Sequence, residues 1–270
     1  MNTACNHFRK ASSYISRWIV MQPSVGEESI TDWLLYTLSS NIASLKYKKF
    51  TKHQEARTTG ADWEWWMVGR RKSIRLRIQA KKLKPKSDNY PSLAYSNAYG
   101  LQIDKLLSDA SSTNALAFYA FYSKPVASNF LCGGNPSTRI THPSVLLAAA
   151  KTLESQFIKP ARKYVSAADV ASNSNPYECL VCCPLSMSHG NSSVQAIYEH
   201  IQHYYQEAIE AEERSNSTAP TGLHDEVPQY VRTLLESESG DIPEWWESEF
   251  SRQLPQVDSI MVWDLRENDL

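Results

Sequence analysis

The chain has 270 residues, 42% of them apolar and 21% charged, with a formal net charge of −1. That is enough apolar material for one substantial core, and it excludes a disordered or fibrous chain. No apolar run approaches the roughly 18 to 20 residues that span a bilayer, and the first 26 residues lack a signal peptide's apolar stretch and cleavage site, so a cytoplasmic protein without a membrane partner is expected.

The small net charge hides a polarity along the chain. Residues 46–88 hold 14 of the 28 Lys and Arg against four acids, whereas from Glu207 onward 16 acids face four arginines. A basic block beside candidate carboxylates suits a polyphosphate partner, with a solvated Lys/Arg surface as the plain alternative. Five cysteines, an odd number scattered between Cys5 and Cys183, argue against a disulfide framework. Cys179-x-x-Cys182 lacks the second half of a zinc site, so its cysteines read as small hydrophobes in a buried strand.

In chain order, residues 1–23 read as an arm or first helix with Phe8, Ile15 and Ile19 at loosely helical spacing. "GEESITDWLLYTLSSNIASL" is a firmer amphipathic helix, with Ile30, Trp33, Leu34, Leu38 and Ile42 on one stripe and acids in the first turn. "KYKKFTKHQEA" follows as a basic strand or loop. "DWEWWMV" and "SIRLRIQAK", joined by "GRRK", carry a β-hairpin signal. Then come a helix at "YGLQIDKLLSDASS", a buried strand at "ALAFYAFYS", a helix at "SVLLAAAKTLESQF", a strand at "YECLVCCPLS" and a long helix at "SVQAIYEHIQHYYQEAIEAEE". "RSNSTAPTG" reads as a linker, "IPEWWESEF" as part of an acidic extension, and "SIMVWDL" as a final strand. The order of elements points to an α/β fold, a mixed sheet covered by helices.

The hairpin carries the candidate chemistry. Alternation puts Arg75, Arg77, Gln79 and Lys81 on one face of their strand, and Asp62, Glu64 and Trp66 on one face of theirs. A turn about Arg71 sets Asp62 beside Ala80 or Lys81, and Glu64 beside Gln79 or Ile78. An acid, an amide and an ammonium group therefore meet at the open end. Phosphodiester hydrolysis needs a hard divalent cation on oxygen ligands, and a lysine can orient the attacking water. A helix carboxylate would complete the set. Glu27 lies on the apolar stripe and is favoured; Glu28, on the polar flank, is the alternative. Taken singly, Asp62 could end a turn, the lysines could be solvated, and the tryptophans read as core. His142 and Ser144 form no persuasive triad.

Helix Glu, then Asp, then a strand ending Gln79-Ala80-Lys81 resembles the motif of the restriction-endonuclease-like, or PD-(D/E)xK, nuclease superfamily in its Gln-x-Lys, Mrr-like form. The set "EESITD … TGADWEWW … QAKK … YGLQIDKLL … AFYAFYS" is further similar to a bacterial family of this kind, over roughly residues 25–185. The resemblance implies a nuclease domain over residues 24–206; residues 207–270, which the motif does not account for, read from their acids and aromatics as an acidic, mostly helical extension docking on the core. The resemblance also implies Mg²⁺, with Mn²⁺ able to substitute, on Asp62, Gln79, the Ala80 carbonyl and Glu27, with Glu64 a substitute for the uncharged Gln79 and Lys81 positioning the nucleophile. Arg75, Arg77, Lys82, Lys84 and Gln102, the last where related nucleases place a polar residue, would face nucleic acid, double-stranded DNA first. Two departures stand out: Ala61 replaces the motif's proline, and Gln79 brings no charge to the metal. Hydrolysis of nucleic acid in defence against foreign DNA is the implied function, a homodimer one of the implied assemblies, and an inactive binder of nucleic acid or protein the alternative.

Overall fold

A computed structural model describes the chain apart from residues 1–2, 51–59, 85, 92, 98–99, 126–129, 133–134, 141–142, 163, 188–191, 206–219, 238–244, 247–256 and 269–270. It begins with α1 (Thr3–Met21) and α2 (Glu27–Asn41), then β1 (Leu45–Lys49), β2 (Trp63–Val68) and β3 (Ser73–Lys82). A short pair, β4 (Ser96–Asn97) and β5 (Gly100–Leu101), leads into α3 (Gln102–Ser112) and β6 (Leu116–Tyr122). Next come β7 (Phe130–Cys132), β8 (Asn135–Ile140), β9 (Val145–Ala149) and α4 (Ala150–Leu153), the last running into a π-turn over Glu154–Ile158. The remainder is α5 (Ala167–Ser172), β10 (Asn175–Pro176), α6 (Cys179–Met187), α7 (Ser193–Tyr204), β11 (Leu223–His224), α8 (Gln229–Glu236) and β12 (Ser259–Asp264).

The protein is a mixed α/β structure. Its main sheet runs β1-β12-β2-β3-β6-β9-β10, with β11 paired to β3. β12 lies parallel to β2 and β6 parallel to β3, while the β2/β3 hairpin, β1/β12 and β6/β9 are antiparallel. Both faces are covered, so every residue of β2 is buried. One face carries Trp63, Trp65, Leu76, Ile78 and Ala80 against α1, α2, α6 and α7. The other carries Trp66, Tyr119, Phe121 and Val262 against α3, α4, α5 and α8. The three hairpin tryptophans are fully buried core residues. No described helix is long and apolar enough to cross a membrane.

Several expectations change. "VLLAA" is a strand pairing with β6, and the helix starts only at Ala150. "CLVCCPLSM" is the helix α6: a short run apolar on every side carries no periodicity, and Cys179–Cys183 are buried where α1, α7 and the sheet pack against the helix. Of residues 207–270, the described strand β12 and helix α8 belong to the main fold rather than to an appended extension. β12 forms backbone pairs with both β1 and β2, and α8 covers the sheet's second face. Truncation near Arg214 would therefore remove the strand that joins β1 to β2. The linker before Pro220, most of "IPEWWESEF", the end of the long helix beyond Tyr205, residues 51–57 of the basic segment and His142 lie outside the described residues.

The cysteines are also paired differently from expectation. Cys5 on α1 is disulfide-bonded to Cys182 on α6 across 177 positions, while Cys179 and Cys183 are buried thiols. Spacing cannot reveal such a pair, because its partners sit on helices brought together only by the fold.

Glu178 lies at the start of α6, 2% exposed, with Arg9 and the Cys183 thiol as its charged and titratable neighbours. Loss of water pushes its carboxyl up to about 7 from an ordinary 4.5. A raised folded-state value means that the contribution to stability is fully present below pH 4.5 and is lost as pH rises through about 7. Glu178→Gln should remove that slope and gain up to about 3 kcal/mol at pH 8. Denaturant titrations of both proteins at pH 5 and pH 8 check it; equal slopes would contradict it.

Candidate active site

The site arises where β3 outruns β2. Trp63 pairs with Ile78, one residue off the expected register, so β3 continues past the start of its partner as Gln79, Ala80, Lys81 and Lys82. On that side the N–H groups of Ala80 and Lys82 have no strand to bond, and buried N–H groups need acceptors. Two carboxylates supply them. Asp62 Oδ2 accepts from Ala80 N at 2.7 Å, and Glu27 Oε2 from Lys82 N at 2.5 Å. Glu27 is the first residue of α2, whose N-terminus therefore abuts the end of the hairpin, while Glu28 is exposed.

Gln79 and Lys81, 2% and 4% exposed, point to the same face as Asp62. Gln79 Nε2 donates to Asp62 Oδ2 at 2.6 Å, and Lys81 Nζ donates to Gln102 Oε1 at 2.7 Å. Gln102 opens α3 half-buried, and its Nε2 donates to Gln79 Oε1 at 2.7 Å. Gly60 makes this approach possible: its φ is +72°, and a Cβ there would lie 2.4 Å from the Gln102 carbonyl oxygen. Loss of water pushes the Asp62 carboxyl up to about 7, against the pull of Lys81 and with a further push from Glu27. Burial likewise raises Glu27, against Lys81.

Two residues near the site were missed. Asp258 directly precedes β12, and its N–H donates to the Asp62 carbonyl at 2.9 Å, so the last strand brings another acid beside Asp62. Tyr119 pairs with Gln79 across β3/β6. Its fully buried hydroxyl, in the field of Asp62 and Glu27, has no hydrogen-bond partner among the described residues. A pairing across 196 positions leaves no local trace, and a tyrosine in "AFYAFYS" reads as core.

Three expected site residues belong elsewhere. Glu64 is fully buried and occupied: Oε2 receives Arg75 Nη2 at 2.8 Å and lies 3.3 Å from Arg77 Nε, while Oε1 accepts from Tyr230 at 2.7 Å and from Trp66 Nε1. Burial would push its carboxyl up, but Arg77 and Arg75 hold it below the usual range. It is thus no substitute metal ligand. Arg75 and Arg77 are buried, Arg77 also meeting Asp109 at 3.1 Å, so neither faces phosphate. Their face is the right one, but α3 and α8 cover it. Lys82 is half-buried with Nζ donating to the Pro23 carbonyl, and Lys84 is exposed beyond the strand.

Among the described residues, no group of three or more His, Cys, Asp or Glu is arranged to hold a metal. The donor set here is different: two carboxylates, the Gln79 amide and the Ala80 carbonyl, which shares its side of the strand with the N–H held by Asp62. Asp62 Oδ1 and Glu27 Oε1 accept no hydrogen bond among the described residues, and all these atoms are hard oxygen donors of the kind that suits Mg²⁺. The set fits such an ion.

Fold and site together define a mixed α/β protein with a half-buried acid–amide–lysine cluster at the open end of a central hairpin. The chain belongs to the family of unknown function DUF6615, which matches residues 4–267. No curated protein matches it.

Proposed function

We propose that the protein is a restriction-endonuclease-like nuclease, hydrolysing phosphodiester bonds of nucleic acid, DNA first, with Mg²⁺ or Mn²⁺. The observation that carries this reading is the meeting of Glu27, Asp62, Gln79 and Lys81 around the end of β3 that β2 leaves unpaired. Glu27, Asp62, the Ala80 carbonyl and the Gln79 amide oxygen would hold the ion, which supplies Lewis acidity and lowers the pKa of water. Lys81 orients the attacking water and offsets charge developing on the phosphate. The N–H groups of Ala80 and Lys82 each hold one oxygen of Asp62 and of Glu27 at the end of β3. Defence against foreign DNA follows from the sequence resemblance alone.

A second reading, an inactive relative that binds nucleic acid or protein, draws on one feature: Gln79 turns its NH₂ group, not its oxygen, towards Asp62. Incubating the protein with supercoiled plasmid, linear duplex and RNA in Mg²⁺, Mn²⁺ or EDTA separates the readings. Metal-dependent cleavage supports the nuclease; tight binding with every substrate intact supports the second reading.

A further inference from the structure

The cluster contains a chain of hydrogen bonds whose direction is set at both ends. Lys81 Nζ donates to Gln102 Oε1 at 2.7 Å, Gln102 Nε2 to Gln79 Oε1 at 2.7 Å, and Gln79 Nε2 to Asp62 Oδ2 at 2.6 Å. An ammonium group has only donors, and Asp62 Oδ2 is already an acceptor for Ala80 N at 2.7 Å, so each amide between them has one permitted orientation. Amide nitrogen and oxygen are told apart by such networks, and here both ends demand the same assignment.

That direction has a cost for metal binding. Gln79 can present Oε1 on the Asp62 side only by turning its amide over, which sets its Nε2 against Gln102 Nε2, donor to donor. Gln102 must then turn as well, and its Nε2 meets Lys81 Nζ, again donor to donor. Lys81 loses its acceptor and is released. The Gln102 backbone cannot shift to absorb the change. Its N–H is bonded to the Tyr95 carbonyl at 3.0 Å, and Gly60 packs where even one added carbon would lie 2.4 Å from its carbonyl oxygen and 3.2 Å from its Cγ.

We propose that Gln102 is a positioning residue that couples the two events: Lys81 is freed only when Gln79 turns its oxygen towards a divalent cation held with Asp62 and Glu27. The pair of glutamines thereby acts as a latch, holding the lysine out of use until the site is loaded. What the freed lysine does rests on the nuclease reading; the latch itself does not.

The test uses full-length protein with ¹⁵N-glutamine and ¹³C-lysine, titrated with MgCl₂ and followed by the side-chain amide signals of Gln79 and Gln102 and the ε-carbon signal of Lys81. All three signals should shift together with one apparent Kd. In Gln102→Met, an uncharged variant of similar volume, Gln79 should still respond while the Lys81 response is lost. Mg²⁺ should bind about three- to tenfold tighter there, the worth of one net hydrogen bond. A Gln79 signal indifferent to Mg²⁺, or a Lys81 response that survives in Gln102→Met, would overturn the latch. Coupled shifts without cleavage of any nucleic acid would instead retain the latch and refute the nuclease reading. Circular dichroism of the variant establishes that it is folded, and Gln102→Glu provides a second case should Met unfold it. There the carboxylate accepts from Lys81 whichever way Gln79 is turned, so Gln79 should still respond to Mg²⁺ while the Lys81 response is lost; a full wild-type response of Lys81 would count against the latch.

Discussion

Asp62→Asn should reduce metal-dependent cleavage about a thousandfold while leaving the protein folded. The substitution keeps an oxygen to accept from Ala80 N and Gln79 Nε2, at 2.7 and 2.6 Å in the wild type, so the end of the hairpin stays tied. What it removes is the negative charge, which is the part a divalent cation needs. Losing several kcal/mol of electrostatic stabilisation of the transition state corresponds to about three powers of ten in rate. Stability should move the other way at neutral pH, because burial already works against the ionised carboxyl and Asn relieves that cost. Single-turnover cleavage and thermal unfolding of the same preparations check both halves. Undiminished cleavage would remove Asp62 from the site, and a collapse in stability would make it a structural residue.

Glu64→Gln is expected to have the largest effect on stability and a revealing one on cleavage. Glu64 is the counter-charge of two buried guanidinium groups, and it also receives the Tyr230 hydroxyl from α8. Removing one partner of a buried ion pair strands the others in a medium that cannot solvate them, at a cost of about 3 to 5 kcal/mol. For a chain of this length that lowers the unfolding midpoint by roughly 10 °C. If Glu64 were instead the metal ligand that its face suggested, the variant would unfold normally and lose Mg²⁺ affinity. Calorimetry together with a Mg²⁺ titration separates the two outcomes.

What the sequence made readable was local. "ADWE" and "QAK" lie on two strands joined by a four-residue turn, so alternation and hairpin arithmetic set Asp62 near Ala80 to within one residue, and the stripe on α2 separated Glu27 from Glu28. Readings that depended on what covers a face failed. Arg75 and Arg77 share the face of Gln79 and Lys81, but only the packing of α3 and α8 over that face makes them an internal ion cluster rather than a phosphate surface. Charge counting cannot tell a buried pair from an exposed one. "SIMVWDL" was legible as a strand, but its place between β1 and β2 was not, because that pairing depends on which strand edges remain open after the hairpin forms. "CLVCCPLS" was ambiguous for a different reason: a short run with almost no polar residue has no polar face to show its period. Gln102 was noticed but undervalued, since one glutamine on a helix carries no sign of the two residues it joins.

If Lys81 serves chemistry at a cation held by Asp62 and Glu27, its removal must abolish turnover, and plasmid cleavage in Mg²⁺ by the wild type and by Lys81→Ala purified in parallel decides it. The account predicts cleavage by the wild type, abolished by EDTA, and none above background by Lys81→Ala, with DNA binding retained. Equal cleavage by both proteins would contradict it.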